Sequence, residues 1–248
     1  MRSLAWAIGL TLAGSLGGVF VASILLYNDR LRTKVVPWLV SYAVGTLLGV
    51  ALLVLLPEAL THLPPRRVFS SLLAGIMLFF LLEKLVLWRH CHTHDCDAHG
   101  MPAPMVIIGD AFHNFLDGVV IGAAVRTSIP LGVSTALAVA THEIPQELGD
   151  VAILLNAGYS RKKALVLNLL SGVSAILGAV LSVFALEWLP QLNEYVLSVA
   201  AAGFMYVAMA DLIPDLHRGR IDATTFRQLA LAGAGIGTVV GLNGLVGG

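Results

Sequence analysis

Charge is what this sequence has least of. Of 248 residues, 15 are Lys or Arg and 15 are Asp or Glu, so 12% are charged, where a soluble domain carries about 25%. Aromatic residues are sparse at 7%, and the only two cysteines, Cys91 and Cys96, lie close together in one polar stretch. Cysteines placed so close together cannot staple a disulfide-built secreted fold. The net charge is zero, which argues against a nucleic-acid partner. No GxxxxGK[ST] string is present to cradle ATP phosphates, so ATP-driven work on that pattern is excluded. What remains is apolar: 57% of residues are hydrophobic and the mean hydropathy is +0.85, so lipid is the solvent for most of the chain.

Apolar runs at 4–26, 37–59, 68–88, 103–126, 130–156, 164–187, 193–214 and 225–246 are separated by short polar breaks. Each is long enough to cross a hydrocarbon core, which takes about 20 helical residues. Backbone polar groups cannot stay unpaired in lipid and the runs lack the alternation of barrel strands, so the expectation is an all-α integral membrane protein with eight spans. Pro37 suits the first turn of its helix, while Pro64-Pro65 and Pro130 sit where a helix stops or starts. The first run lacks a small-x-small cleavage site and is longer than a leader's apolar core, so a retained helix is expected.

Counting Lys and Arg loop by loop sets the orientation. With the N-terminus outside, ten fall in inner loops and four in outer ones, so both termini should be extracytoplasmic. The stretch 89–100 then faces the cytoplasm, where its cysteines stay reduced. It holds His90, Cys91, His92, His94, Cys96 and His99, the composition of a metal-binding tract, without zinc-finger spacing. An internal echo also appears: Leu55-Leu56-Pro57-Glu58 ends the second run and Leu212-Ile213-Pro214-Asp215 ends the seventh. The two runs cross in opposite directions, as in the inverted repeats common among secondary carriers.

Ionisable side chains at mid-membrane are costly and mark function. They concentrate in runs four and five, as Asp110-Ala111-Phe112-His113-Asn114-Phe115-Leu116-Asp117-Gly118 and His142-Glu143-Ile144-Pro145-Gln146-Glu147-Leu148-Gly149-Asp150. At 1.5 Å per residue both histidines lie about 15–18 Å deep, near the midplane. His113 shares a helix face with Asp117, His142 with Gln146, and Glu143 with Glu147. Each helix can thus offer one nitrogen and one oxygen ligand to a common point, while Asn114 and Glu143, turned by roughly 100°, could build a second site beside the first. Mixed imidazole and oxygen ligands suit Zn2+ and other borderline dications. Pro145 removes a backbone N–H and should kink its helix within the site. Glu58, Asp110, Asp150, Asp211 and Asp215 are candidates for lining the access and exit paths, and Gly45, Gly49, Gly75, Gly118, Gly122, Gly172 and Gly178 for close helix packing.

The strings HNFLDG at 113–118 and HEIPQELGD at 142–150 resemble the paired signatures of the ZIP metal transporters, with support from FFLLEK at 79–84, NLLSG at 168–172 and FMYVAMADLIPDL at 204–216. The resemblance implies two three-helix inverted repeats around helices four and five, a homodimer, and a binuclear metal centre. On that pattern His113, Asp117, His142 and Gln146 would form one site and Asn114, Glu143 and Asn168 the other, with Glu147 bridging or adjacent. Gln146 departs from the second histidine usual in this branch, so Fe2+, Mn2+ and Cd2+ join Zn2+ as expected cargo. A rival reading is a membrane-embedded zinc hydrolase, because HEIPQ is one residue short of HExxH; Gln146 and Pro145 both argue against it, and no enzyme is expected. The expected partners are divalent metal ions and the lipid bilayer, in the cell's boundary membrane.

Overall fold

The computed structural model describes residues 2–88, 103–216 and 223–246, and all its regular structure is helical. The helices group into eight. They are α1, Arg2–Leu26; α2, 29–62; α3, Pro65–Trp88; α4, Ala103–Thr127; α5, Ile129–Asn156; α6, Arg161–Trp188; α7, 193–216; and α8, Ala223–Val246. Among the described residues six, α4 included, are long and apolar enough to cross a membrane. The sequence expectation was eight. By length and composition α5 falls short because it carries His142, Glu143, Gln146, Glu147 and Asp150.

Local chemistry sets the helix boundaries. Asn28 caps α2 by accepting from the Leu31 N–H at 3.1 Å, Ser128 caps α5 through Leu131 at 3.3 Å, and Ser160 caps α6 through Lys163 at 3.3 Å. Gly158, at φ +86°, makes the turn between α5 and α6, a conformation that side-chain-bearing residues rarely adopt. Pro65 opens α3, and Pro130 stands in the first turn of α5. Pro37, in contrast, is not at a helix start: α2 begins at Asp29 and runs through it. The polar segment before the apolar run is helical too, capped by Asn28, and hydropathy does not register it.

Two helices widen into π turns. In α2 the turn is Ala51–Leu55, just before Pro57; in α7 it is Val207–Leu212, just before Pro214. The N–H of Leu56 reaches back to Ala51 and that of Ile213 to Ala208, each five residues earlier. Both members of the sequence echo thus share one local structure.

Helix α4 packs along α6, α1 along α5, α2 along α8 and α3 along α7, with α5 also against α4 and α2. The α4–α6 contact is backbone-close: a Cβ on Gly118 would strike the Ala175 carbonyl, and one on Gly178 the Phe115 carbonyl. Two apolar clusters form the core. One, including Leu47, Leu55, Ile121, Val139, Leu197 and Phe204, fills the end where α4 finishes and α5 starts. The other, around Leu25, Leu148, Val151 and Leu154, fills the opposite end. Between them lies a layer of buried polar groups: Asp110, Asn114, Asp117, His142, Glu143, Glu147, Asn168 and Ser171. Outward faces of α3 and α6 expose Phe69, Leu73, Met77, Leu170, Leu177 and Leu181, as lipid-facing surfaces do.

Candidate metal centre

The polar layer is built from two antiparallel helices. On α4, His113 and Asp117 lie one turn apart and point the same way; on α5, His142 and Glu143 face them. The Nε2 atoms of the two histidines are 3.2 Å apart. Asp117 Oδ2 lies 3.5 Å from His113 Nε2 and 3.2 Å from His142 Nε2, and Glu143 Oε1 lies 3.6 Å from each. All four ligand atoms fall within 4.8 Å of one another.

These separations match a coordination polyhedron. Zn2+ bonds to nitrogen and oxygen are about 2.0–2.2 Å, so a tetrahedron around it has edges of about 3.3–3.6 Å. Five of the six possible pairs among the four atoms measure between 3.2 and 3.6 Å. Asp117 Oδ2 and both Glu143 oxygens are buried and accept no hydrogen bond. A buried carboxylate oxygen without a donor is costly, and a dication at the centre of the group would satisfy all of them at once.

The histidines are set for this role unequally. Among the described residues the partner of His142 Nδ1 is the Ala138 carbonyl at 2.9 Å, which can only accept, so the ring carries its proton there and turns the Nε2 lone pair inward. Phe204 packs edge-on against the ring, centroids 6.2 Å apart. His142 is 1% exposed at its side chain, whereas His113 is 23% exposed. Just before the ring, the Thr141 and Thr46 hydroxyls bond at 2.8 Å and tie α5 to α2. Helix α5 runs unbroken through Pro145, which has no N–H to return to the Thr141 carbonyl.

The remaining site residues named from sequence fall elsewhere. Gln146 lines the same cavity as both histidines, as do Asp110 and Asp150. Asn114 donates to Asp110 Oδ1 at 2.8 Å and to its carbonyl at 3.1 Å. Asn168, from α6, donates to the Glu147 carbonyl at 3.2 Å and to Glu147 Oε2. The Ser171 hydroxyl sits between the Asn168 carbonyl, at 2.7 Å, and Asp110 Oδ2. Asp110, Asp150 and Ser171 were not among the candidate ligands, although their offsets of three or four from Asn114, Gln146, Glu147 and Asn168 carried the signal. The loop set His90, Cys91, His92, His94, Cys96 and His99 lies outside the described residues.

A cavity of about 600 Å³ reaches the cluster. His113 and His142 line its inner part, Asp110, Gln146, Asp150 and Asp211 its length, and Met105 and Ile153 its mouth, at the end where α4 begins and α5 finishes. At the opposite end a separate cavity of about 250 Å³ is lined by Glu58, His62, Arg126, Thr127, Asn193 and Glu194. Ile121, Val125, Val139 and Leu197, all at most 3% exposed, fill the space between. Glu83 accepts from the Tyr206 hydroxyl, and the Lys84 ammonium lies over the Phe80 ring at 5.7 Å.

A multi-helical bundle with a buried two-histidine, two-carboxylate group is what a membrane metal carrier requires. Residues 88–243 match the family described as ZIP Zinc transporter, and the chain belongs to that family, one of multi-pass membrane transporters and not of enzymes. It is similar to zinc transporter ZIP13 of Pongo abelii, 31% identical over 246 residues that cover 91% of this chain and 74% of the relative. It is also similar to zinc transporter ZIP10 of Danio rerio, 45% identical over 115 residues, and to zinc transporter ZIP6 of Homo sapiens, 43% identical over 119. Those matches cover 46% and 48% of this chain but only 14% and 16% of the relatives, so the chain spans a small part of their length.

Proposed function

We propose that this chain carries divalent transition-metal ions, Zn2+ first, through a bilayer into the cytoplasm, and that His113, Asp117, His142 and Glu143 hold the ion at mid-passage. One observation carries the reading: four nitrogen and oxygen atoms from two facing helices gather within 4.8 Å of one another, and the Asp117 and Glu143 oxygens among them are buried and lack donors. Two carboxylates offset the double charge, and neutral imidazoles add borderline-soft ligands. With oxygens supplying half the group, Fe2+, Mn2+ and Cd2+ remain acceptable cargo. A second ion position belongs to the same reading: Asn114, Glu143 and Asn168, with Glu147 bridging or adjacent, stand beside the first group.

The open cavity and the packed opposite end correspond to one face of an alternating-access cycle. The excess of Lys and Arg puts the open end in the cytoplasm and both termini outside. An inverted repeat, α1–α3 against α6–α8 with α4 against α5, is supported by the matching π turns before Pro57 and Pro214. Exchanging the two halves also maps the α1–α5 packing onto α6–α4 and the α2–α8 packing onto α7–α3. A homodimer is proposed on the family resemblance, and the mass of the particle in nanodiscs checks it.

The test is uptake of radioactive zinc, iron and manganese by sealed vesicles holding the purified chain. His113→Ala and His142→Ala should each abolish zinc uptake, and Gln146→His should narrow selectivity toward zinc by adding an imidazole beside the cavity. Zinc uptake at the native rate by His142→Ala would sink the proposal.

A further inference from the structure

His113 lines a second cavity besides the one that leads to the metal group. This one, of about 510 Å³, lies between α3, α4 and α7. It opens sideways: α3 packs on α7 rather than on α4, and Ile108 and Phe112, which line the cavity from α4, are 60% and 48% exposed on a lipid-facing surface. Its volume falls within the range of sites that hold drug-sized ligands, about 300–1,000 Å³.

The lining of this side cavity is sorted by depth. Glu83 and Asp211 stand near the last turns of α3 and α7, at the end of the bundle where the metal cavity also opens. Phe79 and Leu116 lie further in, toward the middle of the bundle. Phe79 stacks on Tyr206 with centroids 6.3 Å apart, and the Tyr206 hydroxyl donates to Glu83, which holds that carboxylate at the rim. Among the described residues no Lys or Arg lines the cavity, and the neighbouring Lys84 ammonium is engaged by Phe80 instead. An apolar pocket with carboxylates only at its shallow end has the polarity of a single-chain amphiphile with a positive head. A bare acyl chain offers those carboxylates nothing, and a phosphate headgroup would be repelled by them. An ammonium meets both carboxylates and gains from the stacked rings beside them.

We infer that the side cavity binds lipophilic amines that enter from the bilayer, with the ammonium at Glu83 and Asp211 and the chain laid along Phe79, Phe112 and Leu116 as far as His113. Because the His113 ring is a wall of both cavities, an occupant of one restrains a ligand of the other. His142 does not line the side cavity, so the restraint falls on His113 alone. The binding of amines holds whether or not ions pass; only its consequence, a brake on ion exchange applied from the lipid side, rests on the transport reading.

The full chain in phosphatidylcholine nanodiscs is exposed to dodecylamine carrying a diazirine on its chain, and the photolabelled residues are mapped by mass spectrometry; dodecanol with the same diazirine is the neutral control. The amine should label the α3 and α4 walls of the side cavity saturably, and the alcohol about tenfold more weakly, in line with the loss of a charge-assisted hydrogen bond. Glu83→Gln should weaken labelling by the amine about tenfold and leave that by the alcohol unchanged. Leu82→Trp, which fills the cavity from α3, should abolish labelling there. Monodisperse elution shows that each variant is folded. In sealed vesicles, dodecylamine should suppress zinc uptake by the native chain and lose that effect on Leu82→Trp. Equal labelling by amine and alcohol, or native labelling in a folded Leu82→Trp variant, overturns the site, and equal sensitivity of uptake in the native chain and Leu82→Trp overturns the brake. A native chain that labels saturably but moves no zinc supports the site and counts against the transport reading instead.

Discussion

Helices α4 and α5 are each divided between two kinds of surface. From Asp110 to Asp117 and from His142 to Asp150 they are polar and line a cavity; from Gly118 to Val125 and from Leu131 to Val139 they are small, apolar and packed against neighbours. The same pair of helices therefore both holds a charged layer and closes one side of it. The difference lies in side-chain size. Gly118 and Gly178 let α4 and α6 meet at backbone distance, whereas Asp110, Gln146 and Asp150 line an open cavity in the other half.

The largest way to break this comparison is to put bulk on the packed side. Gly118→Leu drives a side chain into the Ala175 carbonyl, which backbone cannot yield to, at about 3 kcal/mol or more. Recovery of monodisperse protein from membranes should collapse, and normal recovery would show that the α4–α6 seam is looser than described. A smaller effect sharpens the contrast without disturbing the fold. In a background with Cys91 and Cys96 changed to Ser, Ile153→Cys at the cavity mouth should react with a water-soluble maleimide, while Val139→Cys, 2% exposed, should react at least about 100-fold more slowly, reflecting the rarity of local opening in packed cores. Equal rates would mean that both ends admit water. Least of all, Thr141→Val removes the 2.8 Å bond to Thr46 at the border of the two surfaces and should lower stability by about 1 kcal/mol, read as a shift in the thermal midpoint.

The sequence made the helical class legible because lipid forbids unpaired backbone, and it made the chemistry legible because His113, Asp117, His142 and Glu143 are expensive where they stand. It could not say which face of α5 turns toward α4. Spacing alone paired His142 with Gln146, one turn on; in the fold Glu143 also joins the two histidines and Asp117, and Gln146 lines the same cavity as both histidines. Helix rotation is set by tertiary packing, which no single-helix period encodes. The π turns were hidden for a related reason: Pro57 and Pro214 were visible, but the wider hydrogen bonding upstream of each depends on how α2 and α7 are held by their neighbours. The helical start of α2 at Asp29 escaped because hydropathy registers lipid and not helix.

The proton on His142 Nδ1 has a mechanical meaning. Its ring is pinned by Ala138 behind and Phe204 beside, so it cannot swivel to follow a departing guest, while His113, partly open to the cavity, can. The clamp has one fixed jaw and one free jaw, and the free one sits on α4. On the proposed function, capture and surrender would be governed by the rotamer of a single imidazole, and stiffening His113 would slow exchange without changing what the clamp grips.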